Sequence, residues 1–207
     1  GREEGGGGDV RQGRRMVSTI ATSEGGVVVY GLGKLRGVGR GLAAAGCCTV
    51  ITADRELIAS ADGIVLPGVG AFAEGMEKLA PVRAVVEEAV REKPLLGICL
   101  GMQMLLERSE EHGMHDGLGM IPGTVRKFPR VPAMKVPQMG WNTITPSGHP
   151  LFADIADGTF VYFVHSYYAD TTPEATIAST EYIVPYASAV VCGNALDVQF
   201  HPASSGL

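Results

Sequence analysis

The residue of this chain best placed for covalent chemistry is Cys99, the centre of Gly97-Ile98-Cys99-Leu100-Gly101, which follows the apolar run Pro94-Leu95-Leu96. The pattern is that of a nucleophile elbow with cysteine in the serine position. A buried strand turns into a helix so tightly that only glycine fits on either side, and the central side chain is pushed out over the sheet edge. A thiol there sits at a helix N-terminus. The macrodipole and free backbone N–H groups favour thiolate over thiol at such a place.

A thiol nucleophile needs a base and a place for the developing oxyanion. His201, in Val198-Gln199-Phe200-His201-Pro202, ends a strand, where a doubly wound sheet presents functional groups to its cleft. The following proline holds it extended. His165, in Phe163-Val164-His165-Ser166-Tyr167, is at a second strand end, whereas His112, His115 and His149 lie in polar, turn-like contexts and are expected to be solvated. Pro67-Gly68-Val69-Gly70 is a glycine-flanked loop that can aim a backbone N–H at an oxyanion together with the N–H of Leu100.

A second glycine cluster competes. Gly31-Leu32-Gly33-Lys34-Leu35-Arg36-Gly37 follows a strand, opens a helix and is trailed by Asp54, an arrangement that could seat a pyrophosphate and a ribose hydroxyl. Its spacing is GxGxxxG, not GxGxxG, and Lys34 lacks the P-loop context, so a tight strand-to-helix turn is the preferred reading.

These groups require a scaffold of alternating strands and helices. Apolar spacing predicts strands at Val27–Tyr30, Cys48–Thr52, Gly63–Leu66 and Leu95–Ile98. Helices are predicted over Leu35–Ala45, over Phe72–Glu92 with a break or kink at Pro81, and over Met102–Arg108. This rhythm implies a mainly parallel sheet with helices on both faces. After about Gly117 the texture becomes β-rich, with pieces at Thr124–Phe128, Thr159–Val164, Ala175–Thr180, Ala187–Val191 and Leu196–Phe200. These are read as antiparallel additions that finish a mixed sheet.

Composition narrows the function class. The 207 residues suit one domain, and a net charge of −5 with no basic cluster beyond the N-terminal segment speaks against a nucleic-acid surface. Cys47, Cys48, Cys99 and Cys192 follow no metal-ligand spacing and suit a reducing, cytoplasmic compartment. No apolar run approaches the roughly 20 residues that span a bilayer. Gly1–Gly26, with a glycine run and arginines at 11, 14 and 15, is expected to be a disordered extension, leaving 27–207 as the domain.

Three segments carry a family resemblance: Gly97-Ile98-Cys99-Leu100-Gly101-Met102-Gln103, Leu66-Pro67-Gly68-Val69-Gly70-Ala71-Phe72 and Phe200-His201-Pro202. Together they resemble class I (triad) glutamine amidotransferases, of flavodoxin-like α/β fold. Lys135-Val136-Pro137-Gln138-Met139-Gly140-Trp141-Asn142 and Tyr162-Phe163-Val164-His165-Ser166-Tyr167-Tyr168 resemble, more narrowly, the glutaminase subunits of imidazole glycerol phosphate synthases. The resemblance implies Cys99 as nucleophile, His201 as general base and acid, and the backbone of Val69 and Leu100 as oxyanion hole. It places Gly68, Gly70, Gln103, His165, Ser166 and Tyr167 around glutamine. It implies no metal or organic cofactor. It also implies a (β/α)₈-barrel cyclase subunit as heterodimer partner, receiving ammonia across an interface that includes Trp141, Asn142 and Tyr162.

The chain departs from that pattern at three places. The family's His-Pro-Glu-Lys-Ser reads His201-Pro202-Ala203-Ser204-Ser205, so the triad acid is missing at Ala203, and Asp197 is too far along its strand to replace it. The family's Asp-Tyr-Gly-x-Gly-Asn reads Val29-Tyr30-Gly31-Leu32-Gly33-Lys34, and the chain ends at Leu207, before the family's usual closing helix. Crippled rather than absent activity is expected, because a thiol depends less on the acid than a hydroxyl does. The alternative is a docking subunit without chemistry, for which Ala203 argues and against which the retained Cys99 and His201 argue.

Overall fold

The computed structural model describes residues 26–30 and 35–205. The glycine turn at 31–34 and residues 1–25 of the extension expected to be disordered lie outside these described residues, whereas Gly26, counted with that extension, opens the first strand.

The parallel half of the sheet contains β1 (Gly26–Val29), β2 (Cys48–Ile51), β3 (Gly63–Gly68), β4 (Leu95–Cys99) and β13 (Ala195–Val198). They lie in the order β2-β1-β3-β4-β13, all parallel, which is the flavodoxin-like arrangement. The elements expected up to Leu95–Ile98 are all present, with ends shifted by up to three residues.

Side-chain alternation divides β3 and β4 between two cores. Ile64, Leu66 and Leu95 point to one side, Val65, Leu96 and Ile98 to the other. On the first face lie α2 (Arg55–Ser60), α3 (Phe72–Leu79), α4 (Arg83–Ala89) and α5 (Leu100–Leu105), whose Ile58, Phe72, Leu79, Val86 and Leu100 are buried. Pro81 falls in a single 3₁₀ turn, Ala80–Val82, that separates α3 from α4. The predicted break is therefore real. On the second face α1 (Leu35–Ala44) contributes Leu42, and the rest of the cover is β-structure.

That β-structure is the antiparallel extension. It comprises β5 (Leu106–Ser109), β6 (His115–Asp116), β7 (Ile121–Lys127), β8 (Gln138–Pro146), β9 (Thr159–His165), β10 (Tyr167–Asp170), β11 (Thr176–Glu181) and β12 (Pro185–Cys192). β12 pairs antiparallel with β13, and the sheet continues through β10, β7, β5 and β6. β11 links β12 to β8, and β8 forms a ribbon with β9 that covers the second core through Ile144, Val161 and Phe163.

Several elements differ from expectation, among them the unforeseen short strands β6 and β10. The helix expected to run to Arg108 stops at Leu105, because Leu106–Ser109 pairs in parallel with β7. α2 was not foreseen, and Asp54, a candidate ribose ligand, is its N-cap, accepting from the N–H groups of Glu56 and Leu57 at 2.8 and 3.1 Å. β8 was missed because its run contains Gly140 and polar residues, and its apolar Met139 and Trp141 face outward.

β4 and β13 are locked by a buried side chain. Asp197 stands opposite Gly97, and its Oδ1 accepts the Gly97 N–H at 2.5 Å. Complete burial holds this carboxyl well above the usual carboxylate range, opposed by the Gly97 bond. Asp197 is thus tied beneath the elbow and is not the missing triad acid. The unfolded chain loses this proton near pH 4 while the native state keeps it, so stability falls as pH rises above that point. Asp197→Asn keeps an acceptor for Gly97 but carries no proton to lose. The stability gap between variant and parent should shift in the variant's favour by about 1.4 kcal/mol per pH unit for as long as native Asp197 stays protonated. Urea unfolding at pH 5, 6 and 7 measures this, and parallel curves would refute it.

Candidate active site

Cys99 adopts φ 55° and ψ −109°, a conformation L-residues rarely hold. It is tolerated because both flanking positions admit no side chain. A Cβ on Gly101 would overlap the Leu66 carbonyl, and one on Gly97 would meet Asp197 and stand 2.8 Å from the Met102 N. The backbone therefore passes through a slot between β3, β13 and α5, and Cys99 is turned to the sheet's C-terminal edge.

There it meets a cleft of about 460 Å³ lined by Val69, Gly70, Leu100, Gln103, Val164, His165, Ser166 and Tyr167. β3, β4 and β9 deliver these groups at their C-terminal ends. Of the residues singled out for the nucleophile, oxyanion hole and substrate, eight meet here: Cys99, Leu100, Val69, Gly70, Gln103, His165, Ser166 and Tyr167. Gly68 does not line the cleft. A Cβ there would stand 2.9 Å from that of Leu100, so its role is to let β3 approach α5.

His201 follows β13 two positions beyond the level of Cys99, since Val198 pairs with Ile98. Its N–H donates to the Tyr162 carbonyl at 3.0 Å. Ser205 Oγ donates to the His201 carbonyl at 2.7 Å and accepts the Tyr162 N–H at 2.9 Å. The segment carrying the histidine is thereby pinned to β9. Ala203 is exposed and faces α1, 3.7 Å from where a Cβ on Gly41 would be.

The state of the thiol differs from the sequence expectation. Burial pushes Cys99 up to about 11, against smaller opposing effects of the Leu100 N–H and the Gln199 amide. α5 has only six residues, and its N-terminal field does not offset the loss of water around sulfur. His165 is held neutral: burial lowers it to about 4, the Tyr167 carbonyl opposing and the nearby His201 adding to the shift. Its Nδ1 donates to the Tyr167 carbonyl at 2.8 Å, and its Nε2 lies 3.2 Å from the Tyr186 hydroxyl. Phe128, Phe163 and Tyr186 surround the ring.

Besides the exposed His112, two further groups line the cleft without having been singled out. Glu111 accepts the Phe72 N–H at 2.8 Å, and Lys127 sits with its Nζ 5.9 Å from the Tyr167 ring centre. Nothing in their local sequence marks them, since both stand in ordinary polar stretches. Outside the cleft, β8 and β9 pair Trp141 with Tyr162, their rings 6.0 Å apart. Met139, Trp141 and Phe160 are 65%, 57% and 61% exposed, an apolar outer face. Asn142 is turned inward, its Nδ2 donating to the Glu181 carbonyl at 2.9 Å. Among the described residues no helix is long and apolar enough to cross a membrane.

With the thiol near 11, iodoacetamide alkylation of Cys99 in the isolated chain should rise about tenfold per pH unit from pH 7 to 9. Peptide-resolved mass spectrometry separates it from the exposed Cys48 and Cys192. A plateau below pH 8 would mean that the helix end, not burial, governs the sulfur.

Comparison with known proteins gives the family of the chain. Residues 39–206 match the family model for glutamine amidotransferase class-I. The imidazole glycerol phosphate synthase subunit HisH of Methanosarcina mazei is 52% identical over 184 residues, 87% of this chain and 91% of that protein. The subunit of the same name from Chloroflexus aurantiacus is 49% identical over 188 residues, 87% and 88% of the two chains. A glutamine amidotransferase of Thermotoga maritima has a similar fold, with TM-score 0.61 at 21% identity over 87% of this chain and 76% of that one. An elbow cysteine at the end of a central parallel strand, in a chain matched over most of its length, identifies it as a member of the class I glutamine amidotransferase family.

Proposed function

We propose that the chain is the glutaminase subunit of a cytoplasmic imidazole glycerol phosphate synthase, and that it delivers ammonia from glutamine to a cyclase partner for histidine biosynthesis. The observation that carries this is the convergence on one cleft of Cys99, two candidate oxyanion donors and the Gln103 and His165–Tyr167 groups. The names of the half-identical relatives supply the assembly.

In this reading Cys99 gives its thiol proton to His201, and Sγ bonds to the side-chain amide carbon of glutamine. The N–H groups of Val69 and Leu100 hold the oxyanion. As the intermediate collapses, the C–N bond breaks and the nitrogen leaves as ammonia with the proton from His201. Water then adds to the thioester, Sγ departs and is reprotonated, and glutamate is released. A free amino acid carries an ammonium and a carboxylate. Glu111 and Lys127 at the cleft provide a charge of each opposite sign.

Two features point to slow chemistry in the isolated chain: the thiol is held neutral, and Ala203 supplies no acid to orient His201. A partner that reshapes the cleft would relieve the first. The apolar outer face of β8 and β9 is the docking surface in this proposal. It lies on the strand whose Val164 carbonyl approaches Cys99 Sγ to 4.0 Å.

Glutamate release should be measured with the cyclase subunit and its nucleotide ligand present. Cys99→Ala should abolish turnover and Ala203→Glu should raise it at least tenfold, given that spoiling a triad acid costs up to about 10⁴ in a serine enzyme. No turnover in the parent chain with tight cyclase binding would make it a docking subunit without chemistry. Trp141→Glu, at an exposed position, should leave the free chain's melting temperature unchanged and weaken cyclase binding at least tenfold. Equal affinity would place the interface elsewhere.

A further inference from the structure

Gln199 was not among the residues picked out for chemistry, yet its side chain reaches the nucleophile's sulfur. It is fully buried, and its Nε2 lies 3.6 Å from Cys99 Sγ. Its Oε1 accepts from Gln103 Nε2 at 3.0 Å, and the same Gln103 nitrogen donates to the Tyr167 carbonyl at 3.0 Å. A main-chain carbonyl can only accept, so Tyr167 fixes which end of the Gln103 amide faces it. That in turn fixes the Gln199 oxygen toward Gln103 and leaves its N–H₂ facing the sulfur. The main chain of Gln199 is held by its own N–H to the Ser188 carbonyl at 2.9 Å, on the neighbouring β12.

We propose that Gln199 is a positioning residue, whose carboxamide, oriented through Gln103 by the Tyr167 carbonyl, aims the Cys99 sulfur and steadies its thiolate. The proposal rests on Cys99 being the nucleophile. It adds a link between recognition and attack. Gln103 and Tyr167 line the cleft that would hold glutamine, so contacts that move them also reset the donor on sulfur. A hydrogen bond to an anionic sulfur is stronger than one to a neutral thiol, so the amide favours the ionised form. This is in line with the downward effect of Gln199 on a thiol otherwise raised by burial.

The test compares Gln199→Met, similar in length and without a donor, with Gln103→Met, which leaves Gln199 but removes the group that orients it. Cys99 alkylation by iodoacetamide is followed by peptide mass spectrometry from pH 7 to 10 in each variant, with melting temperatures alongside. Gln199→Met should lower the rate at each pH at least about tenfold, the scale of one hydrogen bond to a charged group. Gln103→Met should lower it less and in the same direction. In the assembled enzyme Gln199→Met should lower kcat for glutamine with little change in KM.

Rate–pH profiles that superimpose on the parent's in both variants would overturn the proposal, whatever happens to the melting temperature. Should Gln199→Met not fold, Gln103→Met alone decides, because an unchanged profile there would show that the oriented amide does not act on sulfur. The alkylation readout does not need glutaminase turnover. A shifted profile in a chain without turnover would leave the positioning role standing and remove the glutaminase. Turnover with an unshifted profile would do the reverse.

Discussion

Everything in the site depends on a volume constraint at the turn from β4 into α5. Cys99 holds a positive φ because the Leu66 carbonyl crowds Gly101, while Asp197 and Met102 crowd Gly97. Strain of this kind costs on the order of 1–3 kcal/mol and persists only where surrounding structure over-determines it. Here the determinants come from three directions: β3 on one side, β13 on the other, and α5 above. The parallel pairing of β3, β4 and β13 is thus the frame that keeps one side chain out of the fold's regular geometry.

The same frame explains why the thiol is not the activated one that its helix position implies. A six-residue helix leaves Cys99 Sγ among buried groups, with Gln199 and the Val164 carbonyl as its polar neighbours. Removing water from a would-be anion outweighs the field of a short helix. Polar groups behind the sulfur are arranged as a chain from Gln199 through Gln103 to the Tyr167 carbonyl, where the neutral His165 also donates. His165 is therefore a support for the Tyr167 backbone as well as a wall of the cleft. A low pKa removes it from the candidates for proton transfer at neutral pH, a role that the proposed mechanism gives to His201.

The β8–β9 ribbon joins the two ends of the molecule's chemistry. Its inner residues Val161, Phe163 and His165 fill the second core and approach the cleft, while Met139, Trp141 and Phe160 remain outside. Tyr162 is bonded through its main chain to both His201 and Ser205. A partner seated on the outer face would press on the strand that carries the cleft wall and pins the histidine segment. Such a contact reaches both Cys99 and His201 through one element.

Local patterns in the sequence determined the strand-turn-helix at Cys99, the break at Pro81, the parallel half of the mixed sheet and the absence of a carboxylate at position 203, because each is written in a few adjacent residues. Patterns of that range left Asp54 open between a ribose ligand and a structural role, which its helix cap settles, and misled at Leu106–Ser109, where helical spacing gave way to pairing with β7. β8 escaped notice because only its pairing with β9 makes an extended strand of a glycine-containing, half-polar run. Tertiary structure alone decided that Gly68 serves packing, that Glu111 and Lys127 reach the cleft, and that Gln199 meets the sulfur. These are relations between strands far apart in the chain. The ionisation of Cys99 belongs with them, since helix position is legible in sequence whereas burial is the sum of every element that closes over the site.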